Sequence, residues 1–308
     1  MNESALPLSG KVALVAGGTR GASKATALEL ARSGAFVYAT GRSSRTAGRS
    51  EMKRPETIED THEALNEIGQ GEGLRVDHLE PSEVKDLIAR IDDQHGRIDI
   101  LVNGIFGGDA YVQFGKKLWE HDLHGGLRML RMGIETHAIT SHAALPLLIR
   151  HSGGMVIELT DGTEEFNRDY RADVGLFYDL VKTAVGRMTK AQAHELKAYD
   201  CAAIAVTPGW LRSEAMLDAF GVSEETWTEA CERMPHFAIS ETPRYVARGI
   251  AALAADEDRL ADSGSVLSSA DLARRYGVTD VDGSKPDCWR YLSDGRMESD
   301  TADTSGYR

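Results

Sequence analysis

The chain has 308 residues, of which 42% are hydrophobic, and a formal net charge of −13 at pH 7. That length suits one large α/β domain or two small ones, with enough apolar material for a sizeable core. The acidic balance argues against a nucleic-acid backbone or an anionic membrane as the main partner. The opening MNESALPLSGK lacks a basic stretch ahead of a long apolar one, so no signal peptide is expected. The longest apolar run near the middle, residues 143–149, is too short to span a bilayer. Cys201, Cys231 and Cys288 follow no metal spacing, and the histidines form no HxH or HExxH pattern. Free thiols in a reducing cytoplasm, and no metal, are the expectation.

In chain order, KVALVAGG (11–18) is an apolar β run ending in glycines, residues 24–34 form a helix closed by Gly34, and 35–41 form a second strand. This βαβ unit has the length a parallel crossover needs. A basic, polar insertion follows at 42–60. Further strands are expected at 73–79, 98–105, 154–160, 201–209 and 264–269, with helices at 82–96, 127–153 and 177–196 between them. The segment 298–308 reads as a loose polar tail. Strands alternating with helices imply a Rossmann-type, doubly wound, mostly parallel sheet of about seven strands flanked by helices. A single domain over 1–308 is expected, with an extension from about 271.

Gly17, Gly18 and Gly21 stand between the first strand and the first helix. Glycine there permits a tight turn and lets a pyrophosphate approach the helix N-terminus, where free N–H groups favour anions. At the end of the second strand, an acid would bind a ribose 2′-hydroxyl and an arginine a 2′-phosphate. Gly41 occupies the place of the acid and Arg42 follows it, while Arg20 adds a second guanidinium, the group best shaped for phosphate. The pattern points to NADP(H). A solvated basic loop formed with Arg45 and Arg49 is the alternative. In FYDLVKTAVGRMTKAQAHEL (177–196), Tyr178 and Lys182 lie one helical turn apart on one face. A phenol with an ordinary pKa of about 10 is a poor base at neutral pH, and a nearby ammonium favours its phenolate.

The glycine turn, Asp77, LVNG (101–104), Tyr178-x-x-x-Lys182 and TPGWLRS (207–213) occur in an order that resembles the short-chain dehydrogenase/reductase family over residues 8–270. Residues 271–283 are similar to the C-terminus of a subgroup related to human dehydrogenase/reductase member one. The resemblance implies that Gly17, Thr19, Arg20, Gly21 and Ala22 hold the diphosphate and, with Arg42, the NADP phosphate. It implies that Asp77 and the His78 backbone contact adenine, and that Asn103 and Gly104 lie beside the ribose. Pro208, Gly209 and Trp210 would bracket the nicotinamide, with Ser213 bonding its carboxamide. Tyr178 would be the general acid or base, and Lys182 would bind the nicotinamide ribose and depress the tyrosine pKa.

Three positions depart from the family pattern. Ser23 replaces the third glycine of the turn and is expected to crowd helix and pyrophosphate slightly. Gly133 stands where an asparagine normally holds a water leading to the lysine. Asp161 aligns with the substrate-orienting serine. As an ion it would raise the Tyr178 pKa, and as a neutral acid it would donate to a substrate oxygen. Alternatively it caps a turn, and Thr160 or nearby Thr163 takes the serine's place. Phe106, Trp119, Phe166, Tyr170 and Trp210 are expected to line an apolar substrate pocket at the strand ends.

The expected activity is NADP(H)-dependent interconversion of a carbonyl and an alcohol on a small molecule, bulky or ring-bearing, by a homodimer or homotetramer built on helices 127–150 and 178–197. The alternatives are redox-neutral chemistry on the same scaffold, such as a dehydratase, epimerase or cyclase, and an NADP(H)-sensing protein without turnover.

Overall fold

A computed structural model describes residues 5–308. In chain order its elements are β1 (Val12–Ala16), α1 (Gly21–Arg32), β2 (Phe36–Gly41), α2 (Ile58–Ile68), β3 (Gln70–Arg75), α3 (Pro81–His95), β4 (Ile100–Asn103), α4 (Leu123–Leu130), α5 (Thr136–Leu148), β5 (Met155–Leu159), α6 (Leu176–Leu196), β6 (Ala202–Thr207), α7 (Glu214–Phe220), α8 (Pro243–Ala255), β7 (Val266–Ser268), α9 (Ser269–Tyr276) and α10 (Cys288–Ser293). Every strand pairing is parallel, in the order β3-β2-β1-β4-β5-β6-β7. This is the doubly wound sheet that the alternation predicts. The chain builds outward from β1 to β3, then returns to add β4 on the other side of β1. The C-terminal ends of β1 and β4 therefore flank the crevice where such sheets bind ligands.

Residue alternation sends Ala13 and Val15 to one face, where Leu30 of α1, Ile250 of α8 and Leu272 of α9 cover them. Val12 and Leu14 go to the other face, against Ile91 of α3 and Leu148 of α5. A sheet buried on both sides needs such continuous apolar strands. Each fully buried Val, Leu or Ile contributes about 1.5–3 kcal/mol.

Four expectations are corrected. First, β3 occupies residues 70–75 rather than 73–79. It is an edge strand whose glycines let neighbours close in: a Cβ at Gly73 would lie 2.5 Å from the Ile58 carbonyl oxygen. Val76 to Leu79 leave the sheet and line the crevice instead. Second, the polar insertion runs into α2. Thr57 caps that helix by accepting from the Asp60 N–H, while the Asp60 carboxylate accepts from the Thr57 N–H. Asp at that position is a weaker written signal than the usual Glu or Gln.

Third, the long helix expected at 127–153 is α4 and α5 joined by a π turn over Arg131–Glu135. It starts earlier because Asp122 accepts from the His124 and Gly125 N–H groups. Fourth, the C-terminal segment is docked rather than loose. Tyr307 is buried against Tyr291, and Arg308 donates to the Ala238 and Ser240 carbonyls at 2.9 and 2.6 Å. Among the described residues, no helix is long and apolar enough to cross a membrane, and no group of three or more His, Cys, Asp or Glu side chains could hold a metal.

Candidate active site

A continuous cavity of about 890 Å³ runs along the crevice from the glycine turn to Tyr178 and on to the C-terminal extension. At one end, Gly17 has φ +87° and passes so close to β4 that a Cβ would lie 2.8 Å from the Gly104 carbonyl oxygen. The turn is held by the Thr40 carbonyl, which accepts from the Gly17 and Gly18 N–H groups at 3.0 and 2.8 Å. Gly21 begins α1 with φ +58°, and its N–H donates to the Glu214 carboxylate at 3.0 Å. A carboxylate at this N–H shows that the turn presents a donor suited to an anion. Ser23 crowds β4 rather than the turn: its hydroxyl donates to the Gly104 carbonyl at 3.3 Å, and any side chain at Gly104 would overlap it.

Gly41 closes β2 with no room for a side chain, because a Cβ there would overlap Thr19 Oγ1. Arg42 reaches the cavity and is bonded to Glu51 at 2.6 Å, a carboxylate that Arg128 also binds at 2.6 Å. Burial raises the Glu51 pKa, but the two guanidiniums outweigh it and hold the carboxyl down to about 2. Arg20, Ala22 and Asp77 also line this end. The His78 side chain turns into the core between Thr40 and Thr140, at 2.8 and 2.7 Å, and burial pushes its pKa down to about 3.

The other end is set by α6. Gly175, at φ +76°, precedes it. Phe177, Val181 and Val185 are buried at helical spacing, and Tyr178 and Lys182 form the adjoining row that faces the cavity. Gly126 and Gly133 let α6 approach, since Cβ atoms there would overlap Phe177 and Val181. The Tyr178 hydroxyl donates to Asp161 Oδ2 at 2.9 Å, and Arg171 Nη1 donates to the same oxygen at 2.9 Å. Burial pushes the Tyr178 phenol well above its ordinary value, reinforced by the Asp161 charge and hydrogen bond, while Arg171 opposes it. This differs from the expected lowering by Lys182. Burial draws the Lys182 ammonium pKa down, and that ammonium sits 3.9 Å from the centre of the Phe106 ring. Phe106 in turn meets the Tyr178 ring edge-on at 5.6 Å.

Pro208, Gly209, Trp210 and Ser213 follow β6 along the cavity wall. Ser213 also caps α7, accepting from the Met216 N–H at 3.4 Å. Phe166 packs on Trp289 at 4.9 Å, and both line the wall.

Several expected site residues are placed differently. The Asn103 side chain is buried in a polar network, donating to Ser141 and Glu158 at 2.9 Å, so only Gly104 faces the cavity. Thr160 lines the cavity, and its hydroxyl donates to the Lys182 carbonyl at 2.8 Å, tethering α6 to the end of β5. Thr163 accepts from the Phe166 N–H. Trp119 is 79% exposed and Tyr170 is 56% exposed, and both lie outside the cavity. Sequence reading missed Arg171, Glu51, Arg128 and Glu214, none of which belongs to a local motif. It also missed the wall supplied by Cys288, Trp289 and Leu292, although CWRYL is an apolar patch inside a polar extension.

A family model for the short-chain dehydrogenases matches residues 11–220. The chain belongs to the short-chain dehydrogenase family. Mouse dehydrogenase/reductase SDR family member 1 is 31% identical over 287 residues, covering 90% of this chain and 85% of the mouse protein. The 7alpha-hydroxysteroid dehydrogenase of Clostridium sardiniense is 28% identical over 214 residues, covering 68% of this chain and 74% of that enzyme. Among solved structures, a dehydrogenase from Xanthomonas campestris superposes with a TM-score of 0.72 at 24% identity, covering 91% of this chain and 94% of that one. A short-chain dehydrogenase from Shigella flexneri complexed with NADP superposes with a TM-score of 0.67 at 19% identity, covering 86% and 99%. The chain is thus an oxidoreductase scaffold of the kind that binds a nicotinamide cofactor.

Proposed function

We propose that the protein is an NADP(H)-dependent oxidoreductase that interconverts a carbonyl and an alcohol on a bulky, ring-bearing substrate, within one domain spanning the chain. The observation that carries this reading is that Tyr178 and Lys182 face the same cavity as the glycine turn. The cradle fits a dinucleotide: Gly17 and Gly104 leave the backbone bare, and Gly21 offers an N–H at a helix start. When bound, the cofactor supplies or accepts a hydride. The preference for the phosphorylated form is supported by the overlap that bars an acid at position 41 and by Arg20 and Arg42 at the cavity wall.

In this reading Gly17, Thr19, Arg20, Gly21 and Ala22 hold the diphosphate, and Arg42 holds the 2′-phosphate. Lys182 binds the nicotinamide ribose, and Pro208 and Gly209 flank the ring. Tyr178 moves the proton at the substrate oxygen. Substrate size follows from the apolar wall of Phe166, Trp210, Trp289 and Leu292. A hydroxysteroid dehydrogenase among the relatives is consistent with a ring-bearing substrate.

The test is NADPH oxidation, followed by absorbance and by product analysis, with cyclohexanone, 2-decalone and a 3-ketosteroid as probes. Formation of the corresponding alcohol supports the assignment, with the larger ring systems turned over faster. Products of unchanged oxidation state, or tight NADPH binding with no turnover of any probe, contradict it.

A further inference from the structure

Proton transfer at Tyr178 requires a route by which the proton exchanges with water. One side of the site is closed. The Lys182 ammonium faces the Phe106 ring, and Gly133 on the π turn has its Cβ space filled by Val181 Cγ1 with Phe106 Cδ2 at 3.4 Å. No polar side chain can project from position 133 without displacing Val181. On the other side, the Tyr178 hydroxyl already donates to Asp161 Oδ2 at 2.9 Å. The Asp161 side chain is about one-quarter exposed at 26%, so it meets solvent at the cavity wall. Arg171, at 2.9 Å and only 13% exposed, pins that carboxylate in place.

We infer that Asp161 is the proton relay of this site, passing the Tyr178 proton to and from water, with Arg171 as its positioning residue. The inference rests on the carbonyl–alcohol reading above. In the oxidative direction, the alcohol O–H proton moves to Tyr178 Oη as the Tyr178 proton moves to Asp161 Oδ2. The carbinol hydride leaves with its electron pair for the oxidised nicotinamide, the carbonyl forms, and Asp161 releases its proton to water. In the reductive direction, protonated Asp161 gives its proton to Tyr178 as Tyr178 protonates the carbonyl oxygen. Tyr178 thus stays a neutral phenol between turnovers, in keeping with its burial and with the Asp161 charge beside it. The charged groups acting on the phenol are Asp161 and Asp109, which favour the neutral form, and Arg171, which opposes them. The Lys182 ammonium lies 5.3 Å from the centre of the Tyr178 ring.

Three measurements on the full chain test this, using NADP⁺ with a cyclic alcohol or NADPH with 2-decalone. Asp161→Asn keeps shape and hydrogen bonding but cannot carry the proton, and its turnover should fall about 10²-fold or more. Asp161→Ala should lose turnover similarly and regain part of it on adding formate, a small carboxylate that fits the space released. In the protein without cofactor, the phenol titration that disappears in Tyr178→Phe should move to lower pH in Asp161→Asn, because a negative neighbour is gone. Asp161→Asn turning over at the wild-type rate, or Asp161→Ala that binds NADPH but shows no response to formate, overturns the relay. An unmoved phenol titration overturns it as well, and is readable even where a variant is inactive. The parent reading fails separately: it falls if Tyr178→Phe remains fully active, and stands if Tyr178→Phe is inactive while Asp161→Asn is not.

Discussion

Thr19 fills the space that a side chain at Gly41 would need, so a carboxylate cannot be placed at the end of β2 without moving the glycine turn. Gly41→Ala should therefore cost about 1–3 kcal/mol of stability, the usual penalty for overpacking a tight contact. Thermal melting measures this, and the double change with Thr19→Gly should recover much of the loss. A single variant as stable as wild type would show that the turn yields more readily than its packing suggests.

Arg42 is shared between the cavity and Glu51, and a bound phosphate has to compete with that carboxylate. Glu51→Gln should bind NADPH roughly 3- to 10-fold more tightly, since a charge-assisted bond is worth about 1.5–3 kcal/mol and only part of it is recovered. NADH affinity should hardly change. Arg42→Ala should do the reverse, weakening NADPH about tenfold or more. Calorimetric titration of both cofactors reads the difference, and equal wild-type affinities for NADPH and NADH would contradict the phosphate assignment.

Glu241 lies beneath Gly209, whose Cβ position is 2.8 Å from Glu241 Oε2, and burial pushes its carboxyl up to about 8. A carboxyl raised on folding binds its proton more tightly in the native state. Its contribution is complete below about 4.5, the ordinary carboxyl value, and is lost as pH rises through about 8. Stability should decline across that window by an amount on the order of a few kcal/mol. Glu241→Gln, which still accepts from Ser269, should flatten the decline and raise the melting temperature at pH 8 to 9. A wild-type profile indifferent to Glu241→Gln across this range would contradict the burial argument.

Leu123, Leu127 and Leu180 are exposed on the neighbouring helices α4 and α6. Leu123 and Leu127 lie one turn apart on α4, which packs on α6, and exposed apolar side chains so placed suit an interaction site. The expected assembly is a homodimer or larger at micromolar concentration, and Leu127→Glu with Leu180→Glu should shift it to monomer in light scattering. A monomeric wild type at that concentration would remove the assembly from the account.

The sheet was legible in the sequence because continuous apolar strands alternate with helices, and only a few topologies satisfy that pattern. The Tyr178–Lys182 row was legible because helical spacing alone places it. Edge features were harder. β3 is glycine-rich and is held by α2 and β2 rather than by its own propensity. Gly133, within the π turn, leaves the room that Val181 fills, a tertiary contact with no local signature. The same applies to Arg171: nothing in RDYRADVG announces a partner ten residues upstream, and only the fold brings it to Asp161. Trp119 and Tyr170 follow the opposite course, being aromatic and near the right strand ends yet turned outward.

The central claim is that Tyr178 transfers the proton to or from the substrate oxygen, and Tyr178→Phe tests it most directly because only the hydroxyl is removed. NADPH binding, followed by fluorescence, and NADPH-dependent reduction of 2-decalone should be measured on the same preparation. The account predicts NADPH affinity close to wild type and a turnover reduced about 10²- to 10⁴-fold. A Tyr178→Phe protein that binds NADPH and reduces the ketone at the wild-type rate would contradict it.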